Sequence, residues 1–112
     1  MDRSLEGVID SVQEGALKGQ LLATLKAGDV RVVFDLIRDV MDFKEGDRIR
    51  ITITGEKPKD LDRFEFCGHG YLVNEDKSGN VTLFSIWGII FKFTPAIGLE
   101  PEKKYYLCIE KL

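Results

Sequence analysis

The chain has 112 residues, 44% of them apolar and 10% aromatic, which is enough for one core and too much for a disordered segment. Sixteen Lys and Arg against nineteen Asp and Glu leave a net charge of -3, with the basic residues scattered from Arg3 to Lys111, which argues against a surface built mainly to hold a phosphate backbone. The N-terminus lacks an apolar leader core, and the apolar runs fall far short of the roughly 20 residues a membrane span needs, so a soluble, cytoplasmic protein with a single domain over 1–112 is expected.

Residues 5–13 suit a first strand that bends near Gly7, and Gln13-Glu14-Gly15 turns the chain. Residues 20–26 and 30–37 are separated by a short connection containing Gly28, which predicts an antiparallel hairpin. Apolar residues at 37, 40, 41 and 43 are enough for one or two turns of helix, and Lys44-Glu45-Gly46-Asp47 makes a further turn. Residues 48–54 then alternate strictly, with Ile49, Ile51 and Ile53 on one face and Arg and Thr on the other, so this strand has one buried and one wet side.

Residues 55–63 carry three acids, three bases and Pro58, with only Leu61 apolar, and read as a mobile surface loop. Strands are predicted at 70–74, 81–86 and 89–94, with a turn at 76–80 between the first two. A loop with Pro95 and Pro101 precedes a last strand at 105–111, which carries Tyr105, Leu107 and Ile109 on one face. Short strands at this spacing predict an all-β fold, an OB-like closed or partly closed antiparallel barrel of about eight strands with one short helical segment.

The stretch 64–93 holds the single His, the single Trp and one of the two Cys, so recognition or chemistry is expected to pass through it. Cys67-x-His69 is the one spacing that hints at metal, yet one His and two Cys fall short of the four ligands of a zinc site. The simpler reading is that Gly68 and Gly70 bend the chain at a strand edge while the thiol packs inside, and that Cys67 and Cys108 remain two buried thiols rather than a bridge. No Gly-rich phosphate loop or nucleophile with a base and an orienter stands out, so neither enzymatic activity nor a cofactor is expected.

Between Leu83 and Phe93 the only residues that are not apolar are Ser85, Gly88 and Lys92, more than a barrel with one buried face requires. If Ile89, Phe91 and Phe93 point inward, Ile90 points outward, with Trp87 beside it near a bulge at Gly88. An outward apolar patch with a Trp anchor marks a protein interface, and Tyr71, Trp87, Gly88 and Ile90 are its expected members, with Phe66 and His69 at the edge. Exposed aromatics on a barrel would alternatively stack the bases of a single-stranded nucleic acid.

The block Phe66-Cys67-Gly68-His69-Gly70-Tyr71-Leu72-Val73 and the ribbon Ser85-Ile86-Trp87-Gly88-Ile89-Ile90-Phe91-Lys92 resemble the G subunit of archaeal DNA-directed RNA polymerase. This family of small OB-fold proteins is the counterpart of the eighth shared subunit of eukaryotic polymerases. The ending Tyr105-Tyr106-Leu107-Cys108-Ile109-Glu110-Lys111-Leu112 is similar to the family's last strand. The resemblance implies an accessory subunit without catalytic activity of its own, docked on the largest polymerase subunit. Residues 55–63 are shorter than the corresponding loop of the eukaryotic relatives, so contacts made by that loop do not carry over.

Overall fold

The strand with the cleanest alternation shows how the fold is built. In β4 (Arg48–Thr54), Ile49, Ile51 and Ile53 are fully buried, while Arg50, Thr52 and Thr54 keep some contact with solvent. This is the pattern of a strand with one face on a core. The computed structural model describes residues 3–76, 78, 80–101 and 103–112.

The same alternation recurs in β2 (Leu21–Ala27), β3 (Val30–Asp35), β6 (Val81–Ile86) and β7 (Ile89–Thr94). Ala23, Leu25, Val32, Phe34, Phe84, Ile86, Phe91 and Phe93 point into one core, and Leu36, Met41, Phe43, Ile97 and Leu99 complete it from the connecting segments. With β1 (Arg3–Glu14), β5 (Phe66–Asp76) and β8 (Lys104–Lys111), the strands close a barrel in the order β1-β2-β3-β7-β6-β5-β8-β4. Every neighbouring pair is antiparallel. The all-β barrel expected from the sequence is therefore what forms, and its closure leaves no free strand edge among the described residues.

β1 bends where it changes partner. Val8 faces Arg48 on β4 and Lys26 on β2, and the ladder slips between Ile9 and Ser11. Residues 37–43 make a single turn, with Met41 N–H donating to Ile37 O at 2.8 Å, and do not continue into a helix. Met41 and Phe43 enter the core while Ile37 and Val40 stay exposed, so the segment has no helical face to bury. Among the described residues the helical element is instead a 3₁₀ turn at Leu61–Arg63. The turn expected at 76–80 includes residues 77 and 79, which lie outside the described residues; β5 and β6 are paired as far as Asp76 and Val81.

β5 starts at Phe66, well before the predicted start at Gly70. The glycines do not bend the chain at an edge; they face inward inside the strand, where β6 comes close. A Cβ on Gly70 would lie 2.2 Å from Ser85 O, and one on Gly68 would lie 2.5 Å from Ile86 Cγ2. Ile86 occupies the space that side chains at these positions would fill.

Candidate functional site

β6 and β7 are joined by a two-residue turn, Trp87-Gly88, with φ of +51° and +85°. Positive φ at both central residues is the signature of a type I′ hairpin, whose twist matches that of the strands. Glycine takes that conformation freely, whereas a bulky side chain there is an outlier. Trp87 nonetheless holds it at the hairpin tip, with its side chain 80% exposed.

The predicted surface residues are brought together by strand register. On β5, the odd-numbered residues ahead of the register shift after Leu72 point outward: His69 is exposed and Tyr71 is 61% exposed, while Val73, at the shift itself, is 56% exposed. Tyr71 faces Ser85 on β6, and Ser85 faces Ile90 on β7, so the three form one row across the sheet. Ile90 is 37% exposed, while Phe91 and Phe93 lie inside, as the sequence pattern predicts. Phe66 sits differently. It is 8% exposed and belongs to the core cluster, because it shares the inward parity of Gly68 and Gly70.

His69 is the register partner of Tyr106 on β8, and their rings stack at 4.5 Å between centroids with planes 13° apart. Beside this stack lies a largely apolar groove of about 190 Å³. Trp87 lines one part of it, Cys67, Gly68 and the His69–Tyr106 pair another, and Lys57 and Leu61 of the 55–63 loop a third. Tyr106, Val73, Lys57 and Leu61 are members of this surface that sequence reasoning missed. The outward parity of Tyr106, opposite to that of Tyr105, was the available signal.

The loop that lines the groove reaches the barrel through charge. Arg63 Nε lies 3.6 Å from Glu110 Oε2, and Glu110 also accepts a hydrogen bond from Arg50 Nη1. Arg50 donates in turn to Glu6, and the bonds to Glu6 and then Glu110 hold the guanidinium pKa above its ordinary value. Glu110 is thus a nearly buried carboxylate between two arginines, which satisfies it at an otherwise unfavourable position.

Cys67 and Cys108 do not remain two buried thiols. They face each other directly across β5 and β8 and are joined in a disulfide. Their separation of 41 residues in sequence conceals that they are neighbours. Cys108 is fully buried, whereas Cys67 keeps partial exposure on the groove side.

A family model for the G subunit (RpbG) of DNA-directed RNA polymerase matches residues 3–112. Two proteins named DNA-directed RNA polymerase subunit Rpo8, from Saccharolobus solfataricus and Saccharolobus shibatae, are each 26% identical to this chain over 117 residues. Each alignment covers 92% of this chain and 88% of the relative.

Proposed function

The chain belongs to the RpbG family of DNA-directed RNA polymerase subunits, and from that premise we propose that it is a non-catalytic cytoplasmic subunit that docks on the largest subunit of the enzyme and stabilises the assembly. Tyr71, Trp87, Gly88, Ile90 and His69 form the proposed contact surface. The observation that carries this reading is the 80% exposure of Trp87 at a turn position where its side chain is conformationally unfavourable. A tryptophan held there gains nothing for the core, and fits the role of an anchor for a partner's pocket. Because the closed barrel offers no strand edge to pair with among the described residues, docking has to proceed through side chains.

The test is affinity capture of the tagged protein from its native cells at high salt, followed by mass spectrometry. Recovery of the largest polymerase subunit, lost when Trp87 is replaced by Ala in a protein that still folds, supports the reading. An unfolded Trp87→Ala protein would instead assign the residue to the core.

One observation favours a second reading. The His69–Tyr106 stack, Trp87 and Lys57 together could hold an unpaired base, as a free single-strand-binding barrel would. Salt separates the two, since phosphate-driven binding weakens steeply as salt rises and an apolar contact does not.

A further inference from the structure

The disulfide lies on the outward side of the β5–β8 ladder rather than in the barrel interior. The inward positions of β5 and β8 around it are filled by Phe66, Gly68, Leu107 and Ile109, and the bond occupies the outward parity shared with His69 and Tyr106. Its two sulfurs differ in access. Cys67 lines the Trp87 groove, and Cys108 has no exposed surface.

We propose that Cys67 is a thiol–disulfide exchange site within the Trp87 groove, open to small thiols in the free protein, and that an adduct on it blocks docking. The second half rests on the docking reading given above. Exchange requires a thiolate to reach one of the two sulfurs, and Cys67 is the cysteine that lines the groove. With a small dithiol as reductant, its thiolate attacks Cys67 Sγ, a mixed disulfide forms there, and Cys108 leaves as a thiolate that takes up a proton. The second thiol of the reductant then closes a cyclic disulfide and releases Cys67, which is protonated in turn. Two electrons and two protons pass from the dithiol to the protein.

The barrel does not have to open for this. The Cys67–Cys108 pair is flanked in the ladder by Phe66 with Ile109 and by Gly68 with Leu107, so the strands stay zipped when the bond is cut. A reduced Cys67 then presents its thiol in the groove, next to His69 and Trp87. An adduct at that position fills space that a docked partner would need.

The test uses the full-length protein, alkylated with iodoacetamide with and without prior dithiothreitol, and read by intact mass and peptide mapping. Before reduction no adduct is expected. After reduction Cys67 should be modified at least about tenfold faster than Cys108, in line with their exposure. Two alkylated cysteines without reductant, or equal rates at both, overturn the exchange site.

Protein alkylated at Cys67 and shown by far-UV circular dichroism to remain folded is then compared with untreated protein and with Trp87→Ala for recovery of the large polymerase subunits. Loss of recovery in both altered proteins supports the proposal. Loss with Trp87→Ala alone overturns the blocking role of Cys67. Retention in both overturns the docking reading itself, whatever the thiol chemistry shows.

Discussion

At the scale of the residue, Trp87 and Phe66 form a contrasting pair. Trp87 takes a position that a type I′ turn would give to Asn or Gly. Trp87→Asn should therefore raise the stability of the isolated chain, by up to about 1 kcal/mol, through relief of the left-handed conformation. The same change should weaken docking by about 2 kcal/mol or more, roughly thirtyfold, if Trp87 is an anchor. Thermal melts and binding to the purified largest subunit read the two effects separately: a lower melting temperature for Trp87→Asn would contradict the first, and unchanged binding the second. Phe66→Ala should behave in the opposite sense and cost about 3 kcal/mol of folding stability, because its ring lies in the core. Chemical denaturation measures this, and an unchanged midpoint would return Phe66 to the surface. The outward positions of Trp87 and Ile90 are legible in the sequence, since a ribbon apolar on both faces has to expose one. The inward position of Phe66 is hidden by Gly68 and Gly70, which suggest a bend. Once β5 is continued back through them, parity alone sends Phe66 inside.

Elements add what single residues lack. β5 supplies the outward row of His69, Tyr71 and Val73, and it can do so because its glycines let β6 lie close behind. The last strand is unusual in burying both faces near its end, with Cys108 and Glu110 covered as well as Leu107 and Ile109. Glu110 is tolerable there because Arg50 and Arg63 satisfy it, and Arg63 joins the 55–63 loop to the barrel. Glu110→Gln keeps the shape and removes the charge. It should lower the denaturation midpoint and make residues 55–63 cleave faster under limited trypsin digestion, with the barrel itself resistant. Unchanged cleavage would show that the loop does not depend on the Arg63 contact. The low apolar content of this loop is plain from the sequence. Its tie to Glu110 is not, because the partners are 47 positions apart (63 to 110) and only the ladder order brings them together.

The order of the whole barrel is the part that local patterns hide. The β2–β3 hairpin and the alternation of β4 follow from short-range chemistry, but the insertion of β8 between β5 and β4 and the pairing of β3 with β7 arise from long-range contacts. That order makes Cys67 and Cys108 neighbours, and it gives the disulfide a role in the stability of the entire molecule. A bond between residues 41 apart restricts the unfolded chain, and the loop-entropy relation puts the effect at about 4 kcal/mol. Domains of this size are stable by only about 5–15 kcal/mol in total, so the bond would supply a sizeable part. The remainder comes from a core that is closed without it, so the reduced protein should stay folded at room temperature and unfold at a clearly lower urea concentration. Its transition should also be steeper, since the unrestrained unfolded chain exposes more surface. Urea curves of oxidised and reduced protein, with the thiols of the latter alkylated after unfolding to verify reduction, measure both changes. Coincident curves would mean that the two strands are held by their ladder and core alone.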